Sequence, residues 1–256
     1  MFDLSAGYYA FDDINHTVVD MVGRELARLP GPPRLLDVGC GRGQLGAALR
    51  GLGCRVVGIE ANPEALAAAA PRLDEVLAAD LTDGAAIGSS LAGRRFDLVL
   101  FADVLEHVGD PLAVLRLYTG YLAPGGRIVV SLPNIASWDR RLALLCGRFD
   151  YADSGIMDRT HLRFFTFRTA ELLVREAGLT PLAVGHAAGI ARPFWPLLRR
   201  LMFRGGGASD PGAVLRSPAY RLYERRLLPL EQAIAGLRRQ LLSFRIVIVA
   251  AEAEHG

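Results

Sequence analysis

The 256-residue chain contains no lysine, and all 29 of its basic side chains are arginine. That absence removes a Schiff-base lysine, a P-loop lysine and a lysine general base at once. A guanidinium stays protonated near neutrality, so arginine can clamp anions or stack on rings without carrying a proton. Genomic base composition, with Ala and Gly also abundant, explains the bias without invoking chemistry. Cysteine is scarce too: Cys40, Cys54 and Cys146 have neither paired nor metal-ligand spacing, and an odd count argues against a disulfide framework. The cytoplasm is therefore the expected compartment, and no metal site is expected. No apolar run approaches the roughly 18 to 20 residues of a membrane span. Nor does a charged start lead into an apolar h-region. A soluble chain, or one resting on the inner membrane surface, is expected.

What is present suits an ordinary core: 51% of the residues are hydrophobic and 22% charged, as in a globular protein of one large or two small domains. The net charge of +2 hides a segregation. Residues 1–110 carry 9 Arg against 16 Asp and Glu, a balance of −7, while residues 190–245 carry 11 Arg against Asp210, Glu224 and Glu231, a balance of +8. A nucleic-acid binder spreads its basic stripe across the domain, so no nucleic-acid partner is expected.

From Arg34 onward short apolar runs alternate with helical stretches. The runs are Leu35–Val38, Val56–Ile59, Val76–Ala79, Phe96–Ala102, Arg127–Leu132, Leu182–Gly185 and Arg245–Ala251. Seven buried strands with helices between them predict an α/β fold, Rossmann-like, with a mostly parallel sheet and helices on both faces. Asn62, Pro63 and Glu64 read as cap, first residue and early acid of one helix. Asp110 and Pro111 open another, which Pro124-Gly125-Gly126 is expected to close. Ile14, Val18, Val22, Leu26 and Leu29 share a helical face ahead of the first strand. The expected organisation is a helical cap over 1–33, a core over 34–189 and 243–256, and an arginine-rich helical insertion over 190–242. In that insertion, Phe194–Arg204 mixes bulky apolar groups with arginines, which suits a lid, a homodimer contact or a peripheral membrane patch.

Leu35-Leu36-Asp37-Val38-Gly39-Cys40-Gly41-Arg42-Gly43 places a glycine turn directly between a strand and a helix, where open α/β sheets bind nucleotides. Position 44 is Gln where a dinucleotide fingerprint wants a third glycine, which disfavours a pyrophosphate ligand. With the later strand ends, through about residue 187, this stretch resembles the class I S-adenosylmethionine-dependent methyltransferases. The resemblance implies S-adenosylmethionine as cofactor, S-adenosylhomocysteine as its product, and an antiparallel last strand. It implies that Asp37, Gly39, Cys40, Gly41 and Gly43 form the methionine-side pocket, that Glu60 takes both ribose hydroxyls, and that Ala61 flanks the adenosine. Asp80 and Leu81 would meet the adenine, and Phe101, Ala102 and Asp103 would lie along the sulfonium end. As simpler readings, Asp37 caps the next helix, Glu60 caps a turn, and His107 is a structural histidine.

Methyl transfer from a sulfonium is an in-line displacement on an activated donor, so positioning and exclusion of water carry much of it. An oxygen acceptor also needs a base or a metal for its proton. With lysine absent, His16, His107, His161 and a few carboxylates remain. Ser131-Leu132-Pro133-Asn134 ends the fifth strand, and Asp158-Arg159-Thr160-His161-Leu162-Arg163-Phe164-Phe165-Thr166 follows. This stretch resembles a bacterial subgroup associated with glycosyltransferases and surface-polysaccharide biosynthesis. Together these observations predict O-methylation of a sugar or glycan. His161 would act as general base or orienting group, with Asp158 or Asp153 fixing its tautomer, His107 as a further catalytic candidate, and Arg163 and Asn134 holding substrate. Tyr8, Tyr9, Asp12, Asn15 and His16 precede the first helix, in a segment that would close over the cofactor, with Tyr8, Tyr9 and His16 as substrate-binding candidates. Two alternatives stand beside this: N- or C-methylation of a small metabolite, and a non-catalytic cofactor-binding scaffold.

Overall fold

The structure is a computed structural model that describes residues 15–191 and 222–253. Tyr8, Tyr9 and the Phe194–Arg204 stretch lie outside them. Seven strands form one sheet: β1 (Arg34–Val38), β2 (Arg55–Glu60), β3 (Glu75–Ala78), β4 (Phe96–Ala102), β5 (Leu122–Pro133), β6 (Leu179–Ala188) and β7 (Ser243–Glu252). Their order is β3-β2-β1-β4-β5-β7-β6. The sheet is mostly parallel, with an antiparallel last strand, and helices surround it. Strand order reverses at β1, whose Val38 lies beside Ile59 of β2 on one side and Phe101 of β4 on the other. The carboxyl ends of three strands therefore sit abreast at the switch point, where α/β folds place ligands.

By contacts the chain divides into two compact units. The larger comprises Ile14–Leu132, Phe167–Gly185 and Ile246–Gly256. Its helices within the described residues are α1 (His16–Leu26), α2 (Gln44–Arg50), α3 (Pro63–Ala69), α4 (Gly84–Ser90), α5 (Pro111–Thr119) and α7 (Phe167–Glu176). Leu35, Leu36, Val38, Leu98 and Leu100 are fully buried, as a parallel strand covered on both faces requires. Val18 and Val22, one helical turn apart, join that core together with Met21 and Leu26. Caps follow local chemistry. Asn62 accepts from the Glu64 and Ala65 amides, Asp83 from Ala85 and Ala86, and Asp110 from Ala113.

One expected helix stop is corrected. α5 ends at Thr119 with Gly120 as its cap, and Pro124-Gly125-Gly126 lies inside β5. The β4–β5 register jumps there from Phe96↔Leu122 to Leu98↔Arg127. A Cβ at Gly126 would stand 2.9 Å from the Ala123 carbonyl oxygen and 3.0 Å from that of Phe96. The three residues form a bulge, which is the other structure that Pro and Gly punctuate.

The smaller unit holds Pro133–Thr166 and the described part of His186–Arg245. It carries α6 (Trp138–Leu145), a π-helical turn (Tyr223–Leu227), α8 (Leu228–Leu237) and α9 (Arg239–Leu242). Pro229 sits at the start of α8, directly after the π-helical turn. A small core of Ile156, Ala187 and Phe244 packs with Ile135. Among the described residues no helix is long and apolar enough to cross a membrane.

Candidate functional site

In the larger unit the turn after β1 is built from main-chain bonds. The Gly39 and Cys40 amides both donate to the Ile59 carbonyl at 2.9 Å, and the Gly43 amide donates to that of Cys40. Gly41 has φ +53, and a Cβ built on it would meet no atom within 4 Å. Its left-handed backbone therefore faces open space. Gly43 is glycine for a different reason: with φ +77, its Cβ would press at 3.1 Å on Ala69, so it lets α2 start close against α3.

Asp37 is buried, and its Oδ2 has no hydrogen-bond partner. Burial first, and the Glu60 charge second, push its carboxyl up to about 7. Glu60 accepts from the Gly41 amide at Oε2 (2.9 Å) and from the Asn62 amide at Oε1 (2.8 Å). Each oxygen keeps a second lone pair that a hydroxyl can use. Cys40 is buried, and its Sγ would lie 2.6 Å from a Cβ at Gly58, so it fills the space that this glycine leaves. Burial raises its thiol to about 12, with Asp37 and Glu60 adding to the effect. Cys40 can thus offer a ligand its main chain but no thiolate.

Ala61 and Asp80 are exposed. Asp80 Oδ1 accepts from the Thr82 amide and hydroxyl, both at 2.8 Å, and these bonds hold its carboxyl below its ordinary value. The Leu81 carbonyl accepts from Tyr118 Oη, whose ring stands edge-on to Phe101 at 5.3 Å. Phe101 is fully buried, so its ring belongs to the core and only its main chain could face a ligand. Ala102 is half-buried. Asp103 follows directly after this strand with φ 55. His107 closes the 3-10 turn Leu105–His107, and His16 opens α1; both are exposed.

The smaller unit holds the remaining expected residues. His161 is buried, with Nδ1 3.1 Å from the Ile156 carbonyl oxygen. A carbonyl can only accept, so this contact places a proton on Nδ1. Asp158 Oδ1 accepts from the amide (2.8 Å) and hydroxyl (2.6 Å) of Thr160, and Asp153 pairs with Arg159. Arg163 is exposed. Asn134 is corrected. It is fully buried, donates through Nδ2 to the Ser243 (2.7 Å) and Gln240 (3.1 Å) carbonyls, and accepts from the Ala136 amide. Its side chain ties the fold together and is closed to substrate.

The sequence reading assigned no role to an aromatic group beside His161. Phe164 stands 6.3 Å from the imidazole and packs edge-on with Phe149, which meets Tyr151 at 5.7 Å. Phe149 and Tyr151 are about half exposed. The alternate spacing of Phe149 and Tyr151 was the available signal, but it does not reveal that Phe164 joins them.

The cofactor implied by the sequence carries an ammonium, a ribose diol and an adenine. A buried carboxylate oxygen lacking a partner, a glycine facing open space and a strand-end glutamate with spare lone pairs fit those groups.

Comparison with known proteins agrees. A family model described as a methyltransferase domain matches residues 11–184. An S-adenosylmethionine-dependent methyltransferase from Archaeoglobus fulgidus superposes with a TM-score of 0.56 at 19% identity, covering 92% of this chain and 93% of that one. Magnesium protoporphyrin IX methyltransferase from Synechocystis PCC 6803, with bound S-adenosylhomocysteine, gives 0.54 at 14% identity, covering 92% and 82%. These likenesses concern the fold. A ubiquinone biosynthesis O-methyltransferase from Cereibacter sphaeroides strain KD131 is 35% identical over 152 residues, covering 58% of this chain and 61% of that protein. A protein of the same name from Dinoroseobacter shibae is 33% identical over 177 residues, covering 67% and 70%. This chain thus spans about three fifths of the length of most of the curated relatives that it matches.

Proposed function

The chain belongs to the methyltransferase-domain family, whose class I members use S-adenosylmethionine, and on that premise we propose that it methylates a hydroxyl group carried on an aromatic ring. Bound S-adenosylmethionine supplies a methyl on a positive sulfur, displaced in line as the C–S electron pair returns to sulfur. Asp37, through its buried oxygen, takes the ammonium. Glu60 takes the ribose diol, Ala61, Asp80 and Leu81 line the adenosine, and Asp103 lies at the sulfonium end.

The observation that carries transfer to oxygen is the contact of His161 Nδ1 with the Ile156 carbonyl. With a proton held on Nδ1, Nε2 is the ring atom we assign to accept the hydroxyl proton as the C–O bond forms. Asp158 acts one step back, shaping the Thr160 turn ahead of His161. The relatives named for O-methylation support oxygen as the accepting atom. They lend no support to the sugar or glycan expected from the subgroup resemblance. The half-exposed rings of Phe149 and Tyr151 beside Phe164 favour a flat ring as the body of the acceptor, with Arg163 available for an anionic substituent.

Calorimetric titration with S-adenosylhomocysteine, followed by a transfer screen over phenols, sugars and small amines, tests this. Micromolar binding and transfer to phenols are expected. Transfer to sugars alone overturns the ring acceptor, transfer to amines alone overturns the oxygen, and absence of binding overturns the cofactor residues.

A further inference from the structure

Among the described residues Asp103 is the one non-glycine residue with positive φ, a backbone state that neighbours must hold in place. Ser131 holds it twice. The Asp103 amide donates to the Ser131 carbonyl at 3.1 Å, and Ser131 Oγ donates to Asp103 Oδ1 at 2.8 Å. Ser131 is fully buried, paired across the sheet with Ala102. Its Oγ in turn accepts from Asn15 Nδ2 at 2.9 Å, and Asn15, also buried, accepts at Oδ1 from the Val18 amide as the cap of α1.

The direction of this chain of bonds is forced. A main-chain N–H can only donate, so the Val18 amide fixes which end of the Asn15 side chain is oxygen and turns its nitrogen toward Ser131. The serine oxygen is then an acceptor there and spends its single hydrogen on the Asp103 carboxylate.

We propose that Asn15 and Ser131 are positioning residues of the cofactor site. They fix the Asp103 carboxylate in the orientation in which it meets the sulfonium end of S-adenosylmethionine, and they join that orientation to the first turn of α1. The proposal rests on the reading that Asp103 lines the cofactor. The sequence places Asn15 in the segment before the first helix and Ser131 at a strand end, but it does not reveal their link to Asp103, because the three lie 28 and 116 positions apart along the chain and meet only through the sheet.

The test is a double-mutant cycle on binding of S-adenosylmethionine, which carries the sulfonium charge, measured by calorimetry without acceptor on the full chain as wild type, S131A, D103A and S131A/D103A. Loss of a hydrogen bond to a charged group should weaken binding about tenfold in S131A. In the D103A background the same change should cost less than about twofold, since the group it positions is gone. N15S keeps a cap oxygen for Val18 but is too short to reach Ser131. It should retain the wild-type melting profile, weaken S-adenosylmethionine binding several-fold, and raise KM for S-adenosylmethionine without changing KM for the acceptor. An equal S131A penalty in both backgrounds, or unchanged affinity, overturns the relay. If S131A does not fold, wild-type affinity in N15S overturns it instead. A wild type that fails to bind S-adenosylhomocysteine overturns the cofactor reading itself, which is a different result.

Discussion

Around Gly39–Gly43 the groups proposed to meet the cofactor are main-chain amides and strand-end carboxylates, fixed by parallel pairing that sets Val38, Ile59 and Phe101 side by side. In Pro133–Thr166 the candidate groups are side chains on turns: an imidazole against one carbonyl, three aromatic rings and exposed arginine. The first region is set by backbone geometry, so its chemistry tolerates few sequences. The second hangs on a scaffold that could carry other side chains, as expected where a common donor must meet varied acceptors.

The sharpest way to test that contrast is His161→Ala. Turnover should fall about 10²- to 10⁴-fold, as loss of a general base does, while S-adenosylhomocysteine affinity stays within about twofold. A shared loss in both measurements would mean that the two regions are one device.

Next in size is Asp37→Asn, read through pH. In the unfolded chain this carboxyl ionises near its ordinary 3.8, and in the fold near 7. Between those values the unfolded chain is ionised and the folded one protonated. Stability should therefore fall as pH rises from about 4 to 7 and level off above, by about 4 kcal/mol for a shift of that size. Asp37→Asn should flatten this slope in urea melts. Wild-type S-adenosylhomocysteine binding near pH 6.5 should release a proton, seen as a buffer-dependent heat, because an ammonium beside Asp37 favours the ionised form.

Glu60→Ala should weaken S-adenosylhomocysteine binding about 100-fold by calorimetry. It removes both acceptors for a diol and strands the Gly41 and Asn62 amides. The smallest effect belongs to Asn134→Ala. It should cost about 1–3 kcal/mol in thermal unfolding and leave KM for the acceptor unchanged, since its bonds go to Ser243, Gln240 and Ala136.

The same contrast governs what could be read from the residues alone. The strand runs and the glycine turn were legible because parallel strands buried on both faces write themselves as unbroken apolar runs, and because left-handed turns demand glycine. The caps at Asn62 and Asp110 follow from spacing within one helical turn. Pro124-Gly125-Gly126 was misread as a helix stop, since Pro and Gly mark a bulge with the same letters. The Ile156 carbonyl beside His161 was not legible, because every residue owns a carbonyl and no letter announces it. Asn134 carries a polar side chain in a position that suggests substrate, yet its partners come from residues 240 and 243, over a hundred positions away. The bonds that join Ser131 to Asn15 and Asp103 escaped for the same reason.

The three cysteines leave a practical asymmetry. Cys40 and Cys54 are buried, with thiols pushed up to about 12 and about 11, while Cys146 is exposed just past α6. A maleimide dye at neutral pH should therefore modify the native chain at one point without engineering. That point lies in the unit of His161 and the aromatic rings, so on the proposed reading a dye there gives the wild-type protein its own fluorescence reporter for the arrival of an acceptor.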